Sequence, residues 1–200
     1  QINRKNWNEK ARNIDVFDIK SDAIRTLIEL GVDEKNLFIN DLTKTSYHPG
    51  RSGSITLQSE KGPHLAYFGE LHPGIIKKLD FKDKNIFGFE IFLKNIPQPN
   101  KKIRQSKSNY KVSDFQKSER DFAFLIDKSF KAGLLERLIK SVDENIIQKV
   151  STFDIYEGEN IPKDKKSVAI NVILQALDKT LNESDIDQVS QKIILTVKEK

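Results

Sequence analysis

The sequence predicts an α+β fold built of two antiparallel modules joined by a basic connector. Three observations carry that prediction. Apolar residues recur at every second position in short runs along both halves, the period of half-buried strands. Between these runs lie stretches with apolar residues three and four apart, the period of helices packed on a sheet. One segment, 94–111 (KNIPQPNKKIRQSKSNYK), carries six basic and no acidic side chains, two prolines and little apolar content, which marks a linker.

In the first module, residues 1–93, the expected order is β-α-β-β-β-α-β. NIDVFDI (13–19) reads as a strand leading into a helix over 20–31, where Ile24, Leu27 and Ile28 give helical spacing and Gly31 a stop. NLFIN (36–40) is a short strand. GSITLQ (53–58) and HLAYFGEL (64–71) form a hairpin across SEKGP. PGIIKKLD (73–80) is a short helix with proline at its start, where a missing N–H costs little. NIFGFEIFL (85–93) is a near-continuous apolar run, the pattern of a buried strand.

In the second module, residues 112–200, RDFAFLID (120–127) is a strand. KAGLLERLIKSVDENI (131–146) is a helix with Leu134, Leu135, Leu138, Ile139 and Val142 on one stripe. QKVSTFDIY (148–156) and KSVAINVILQ (166–175) are strands, the latter with Val168, Ile170, Val172 and Leu174 on one face. NESDIDQVSQKIILTVK (182–198) is a helix with Asn182 as N-cap and Asp185 three residues on. The order β-α-β-β-α is a ferredoxin-like split βαβ unit without its last strand. Two helices then cover one face of the sheet and leave the other open.

The totals bound the function. The 200 residues are 37% hydrophobic and 32% charged, with no apolar run long enough to span a membrane. The start is polar, without the apolar stretch of a signal peptide. There is no cysteine, which excludes disulfides and thiolate metal sites. There is no methionine, not even at position 1, so the chain reads as part of a longer polypeptide. The net charge of +5 is uneven: +1 over residues 1–93 (14 basic, 13 acidic), +6 over 94–111, and −2 over 112–200 (14 basic, 16 acidic). The linker is either a solvated tether or a strap touching nucleic-acid phosphates, with Lys101, Lys102, Arg104 and Lys107 as candidate contacts.

No catalytic constellation stands out. YHPGRSGSI (47–55) has glycines, an arginine and a serine, but it leads into a strand, whereas phosphate cradles open a helix. A Pro-Gly turn explains it. Ser52 lies four residues from His48 with no third member. His48, His64 and His72 lack the close spacing of metal ligands, and the second His-Pro-Gly at 72–74 sits in different surroundings from the first. FDIYEG (153–158) is more informative. Alternation places Phe153 and Ile155 toward the core, and Asp154 and Tyr156 on the open face. An exposed aromatic on a sheet is a stacking platform for an unpaired base, and a nearby carboxylate accepts hydrogen bonds from base N–H groups. Ser167 on the adjoining strand adds a donor or acceptor. A tyrosine covering the sheet beside a solvated aspartate fits the same residues.

These motifs together resemble one family. YHPGRSG, YFGELHP, FEIFL, SDFQKSERDFAFLID, FDIYEGENIPKDKKSVAI and KTLNESDID occur in this order in the bacterial phenylalanyl-tRNA synthetase beta subunit, and RKNWNEKARNIDVFDIKSDA resembles the stretch before them. The resemblance covers nearly all 200 residues and corresponds to the C-terminal part of that subunit. It implies that 1–93 is part of a class II synthetase-like module that has lost its chemistry, and that 112–200 is a ferredoxin-like anticodon-binding domain. It implies a cytoplasmic ligase of two alpha and two beta subunits that joins phenylalanine to tRNA(Phe). ATP and Mg²⁺ are used in the alpha subunit, and no cofactor, metal or catalytic residue falls in this segment. Asp154 and Tyr156 match the family's F-D-x-Y pair at the first anticodon base, and Ser167 matches the serine of its K-K-S-L-A stretch. The family's closing strand, which carries an arginine to the anticodon, has no counterpart before Lys200. A rival reading makes the segment a protein scaffold that contacts the alpha subunit without touching RNA.

Overall fold

In a computed structural model the chain separates into two compact units, Gln1–Lys107 and Ser108–Lys200. The structure describes residue 7 and residues 12–81, 85–98 and 112–199. Of the linker predicted over 94–111, residues 99–111 lie outside the described residues, and with them Lys101, Lys102, Arg104 and Lys107.

The first unit opens with helix α1, Val16–Glu29. The strand expected over 13–19 is therefore absent. Asp15 starts the helix instead: its carboxylate accepts from the backbone N–H of Phe17 and Asp18, and the Asp18 carboxylate accepts from the Asp15 N–H. This reciprocal box satisfies donors that a helix start leaves unpaired. Arg12 grips Asp18 with two N–H groups at 2.8 and 2.7 Å, and that hydrogen bond holds the Asp18 carboxyl down at about 2. Val16, Ile19, Ala23 and Leu27 then fall on one stripe, and Gly31, at φ +93°, ends the helix.

Strands β1 (Leu37–Asn40), β2 (Tyr47–Leu57), β3 (His64–Leu71) and β4 (Phe87–Ile91) make an antiparallel sheet in that order, with the short helix α2 (Pro73–Lys78) between the last two. Residues opposite each other on an antiparallel ladder share a face. Gly53, Ile55, Ala66, Phe68 and Ile91 fall on the face whose core holds Ala23 and Leu27 of α1. Asn40, Ser54, Tyr67 and Glu90 fall on the other. There Lys44 pairs with Glu90 at 3.0 Å and lies 4.7 Å from the ring centres of both Tyr67 and Phe92. Tyr47 is buried, and desolvation, followed by the charge and hydrogen bond of Glu90, pushes its phenol up to about 12. The run at 85–93 is not a buried strand: β4 is the sheet's edge, and Phe89 is 38% exposed.

The second unit follows the predicted order. It comprises β5 (Ser118–Asp127), α3 (Ala132–Val142), β6 (Ile147–Tyr156), β7 (Lys165–Leu174) and α4 (Glu183–Lys198). The three strands are antiparallel in the order β5-β7-β6, so β7 is central. Val168, Ile170, Val172 and Leu174 are all fully buried and form one cluster with Leu135 and Ile139 of α3 and Ile186, Val189 and Ile193 of α4. Both helices thus cover the same face. Asn182 caps α4 and exchanges hydrogen bonds with Asp185. Before β5, Ser113 donates to the Ala176 carbonyl and Gln175 to the Phe115 carbonyl, which pins the entry of the chain to the end of β7.

Candidate nucleic-acid interface

The open face of the second sheet is set by β-register. Four complete cross-strand rows lie there, one of them Glu119, Ile173 and Lys149. Leu125, Ser167 and Tyr156 form the first, Ala123, Ala169 and Asp154 the second, and Asp121, Asn171 and Ser151 the third. The structure thus brings Asp154, Tyr156 and Ser167 together on one side of two neighbouring strands. Tyr156 is 49% exposed, Asp154 is exposed and Ser167 half-buried. The Asp154 carboxylate has no hydrogen bond or ion pair among the described residues, so its oxygens stay available as acceptors. In the third row Asn171 donates to Asp121 at 2.8 Å.

One feature of β6 departs from simple alternation. The ladder slips between Thr152, opposite Ile170, and Asp154, opposite Ala169, which leaves Phe153 as the extra residue of a β-bulge. The burial expected for Phe153 and Ile155 does not hold, although Ile155 does share the helix-covered face with Val168. Phe153 is 60% exposed because the bulge removes it from the ladder, and Ile155, opposite Val168 at the end of the strand, is 48% exposed. The bulge also decides which face Asp154 and Tyr156 take. Counting by twos from Thr152, opposite buried Ile170, would turn both toward the helices.

Glu136 of α3 fixes the bulge, because its carboxylate accepts from the Thr152 N–H at 2.7 Å. Sequence reasoning missed this residue: a glutamate among apolar helical positions reads as solvated, and only the fold brings it to β6. The far end of the face is tied down as well. Lys128, after β5, pairs with Glu157 at 2.9 Å, donates its backbone N–H to Asp164 at 2.9 Å, and its carbonyl accepts from Lys166 Nζ at 3.0 Å.

The other candidates are engaged locally. Arg51 forks onto Glu70, whose carboxylate is buried. The Ser52 hydroxyl donates to the backbone carbonyl of His48, not to its ring. The His48 ring accepts from the Gly50 N–H at 3.0 Å, and the His72 ring accepts from the Gly74 N–H at 3.1 Å. The two His-Pro-Gly copies thus build the same small turn, although one lies in a strand and the other caps α2. The stretch 47–52, expected as a Pro-Gly turn before a strand, belongs to β2 itself, as an irregular segment where the register shifts between Tyr47 and Ser52. His64 stacks on Tyr67 with ring centres 5.0 Å apart.

Comparisons with known proteins bear on the family. A family model described as "Ferredoxin-fold anticodon binding domain" matches residues 113–200, and one described as "Phenylalanyl tRNA synthetase beta chain CLM domain" matches residues 1–93. The phenylalanine–tRNA ligase beta subunit of Bartonella henselae is 41% identical over 191 residues, covering 96% of this chain and 23% of that protein. The same subunit of Bartonella quintana is 39% identical over 191 residues (96% and 23%), and that of Paramagnetospirillum magneticum 38% over 193 (96% and 24%). The chain thus spans about a quarter of the length of the curated relatives it matches.

Proposed function

Since the chain belongs to the phenylalanyl-tRNA synthetase beta chain family, we propose that it supplies a tRNA-recognition surface and a scaffold to a phenylalanine–tRNA ligase. The open face of the second unit reads the anticodon of tRNA(Phe). Tyr156 stacks on the first anticodon base, Asp154 accepts hydrogen bonds from its imino and amino groups, and Ser167 adds a donor or acceptor. The observation that carries this reading is the register that sets the three residues together on an uncovered face, with the Asp154 carboxylate unpaired among the described residues.

The first unit serves as a class II synthetase-like module without chemistry, packed on the alpha subunit of a cytoplasmic heterotetramer. The bonding of Arg51 to Glu70, and of Ser52 to backbone, supports a structural role for its most chemistry-like loop. Phenylalanine activation, with its ATP and Mg²⁺, belongs to the alpha subunit. Residues 94–111 act as a tether between domains 1–93 and 112–200. Its Lys101, Lys102, Arg104 and Lys107 touch tRNA phosphates, which the acidic second unit is poorly suited to do. A closing strand bearing the family's arginine would lie along the outer edge of β5, which pairs with no strand among the described residues. A groove of about 720 Å³, lined by Phe124, Phe130, Leu138, Ile194 and Val197, runs beside that edge.

A scaffold reading is favoured by Phe153 and Ile155, exposed apolar residues that a protein partner would cover. One experiment separates the two. In the assembled enzyme, Tyr156→Ala should raise the KM for tRNA by about 1–3 kcal/mol of lost stacking. Phenylalanine-dependent ATP–pyrophosphate exchange should be unchanged. A parallel fall in exchange would place Tyr156 in subunit packing and favour the scaffold.

A further inference from the structure

We infer that Gly158 is a positioning residue for Tyr156: it seats the ring beyond the end of β6 and so keeps the base-reading floor uncovered. This rests on the anticodon reading above. The observation is steric. A Cβ at position 158 would lie 2.0 Å from Tyr156 Oη, 2.2 Å from Cζ and 2.8 Å from Cε1. The para end of the ring therefore occupies the space that any other residue at 158 would fill. Gly158 follows Tyr156 in the chain, so the ring leans past the strand end, away from Asp154 and Ala169. The floor left uncovered in front of it holds the small side chains of Ser167 and Ala169 on β7 and Ala123 on β5, with Leu125 of β5 at its margin. A planar base can lie on such a floor with its edge toward Asp154 and one face toward the tyrosine.

Adding a methyl group at 158 forces either the turn or the ring to move. The turn is pinned. The Gly158 carbonyl accepts from the Ile161 N–H at 3.1 Å, Lys165 N–H donates to Pro162 at 2.9 Å, and Glu157 and Asp164 are both bonded to Lys128. The ring is a half-exposed side chain with other staggered wells open to it. It is the ring that yields, and in leaving its present well it loses the seat past the strand end.

The test uses the complete enzyme and four forms: wild type, Gly158→Ala, Tyr156→Ala and the double variant. Gly158→Ala should raise the tRNA KM by roughly 5- to 100-fold through misplacement of a contact. The turnover number at saturating tRNA, the ATP–pyrophosphate exchange and the melting temperature should stay at wild-type values. On the Tyr156→Ala background the same substitution should change nothing further, because no ring remains to be displaced. Equal KM increments in both backgrounds, or a lowered melting temperature in both, would overturn the inference and make Gly158 a structural residue of the turn. An unaffected KM in Gly158→Ala beside a raised one in Tyr156→Ala would overturn it too and leave the anticodon reading standing. An unaffected KM in Tyr156→Ala would remove the reading itself.

Discussion

Truncating Ile170 to alanine should destabilise the second unit by about 2–5 kcal/mol, the cost of deleting a buried isoleucine side chain together with the cavity it leaves. Ile170 is fully buried at the middle of the central strand, with Phe122 of β5 and Thr152 of β6 opposite it. It belongs to the same cluster as Leu135 and Ile139 below and Val189 and Ile193 beside them. Neighbours on both strands and both helices limit how far the site can collapse, which favours the upper part of the range. Urea denaturation followed by circular dichroism measures it. Leu177→Ala is the matched control: that side chain is 51% exposed, so its loss should change stability by no more than about 0.5 kcal/mol. Equal effects from the two substitutions would contradict the packing described. The consequence reaches function, because Ser167 and Ala169 of the open face ride on the strand that Ile170 anchors.

Gly69→Ala should destabilise the first unit by on the order of 3 kcal/mol, from backbone strain and overpacking together. Gly69 has φ +150°, a conformation open to glycine and strained for alanine. A Cβ there would lie 2.3 Å from Ser52 Cβ and 2.6 Å from Ser52 Cα, directly across the β2–β3 ladder. Ser52 is held in place by its bond to the His48 carbonyl, so it has little room to retreat. The next residue is Glu70, whose buried carboxylate depends on the Arg51 fork, and a shift of β3 would part them. Gly88 sits opposite Gly69 on β4, and a Cβ there meets nothing within 4 Å. Gly88→Ala should therefore be neutral within about 0.5 kcal/mol. The contrast between two glycines in one cross-strand row, read by denaturant melts, tests the register itself.

Much of the second unit was legible because its signals are periodic and local. β7 alternates without interruption, Val168 to Leu174, and its register with β5 runs unbroken over ten pairs. The α4 start was readable from Asn182 and Asp185, since a capping box spans only four residues. The start of α1 was not. VFDI satisfies a strand period and a helix period alike over so short a run, and the balance is tipped by Asp15, Asp18 and Arg12 bonding across the cap. The buried strand expected at 85–93 failed for a different reason. An apolar run reports burial demand but not sheet order, and β4 lies at an edge.

For the candidate site, the pairing of Asp154 with Tyr156 on one face followed from period two alone. The absolute face did not, because it depends on the bulge at Phe153, which no glycine announces. Glu136 and Gly158 were invisible for the same reason: each acts through a neighbour that only the folded chain supplies. The charge pattern also acquires a physical meaning. Asp121 and Glu119 of β5 lie on the open face with Asp154, and Lys149 of β6 shares the row of Glu119, so the face has no excess of positive charge to draw phosphates. Its selectivity would rest on bases, with phosphate attraction supplied from elsewhere.

That division is tested most directly by chemical footprinting of tRNA(Phe) on the assembled enzyme, comparing wild type with the Asp154→Ala/Tyr156→Ala double variant. The account predicts that the wild-type enzyme protects the first anticodon base. In the variant that base becomes reactive while protection of the acceptor end persists. Unchanged protection of the anticodon in the variant, or simultaneous loss at both ends of the tRNA, would contradict it.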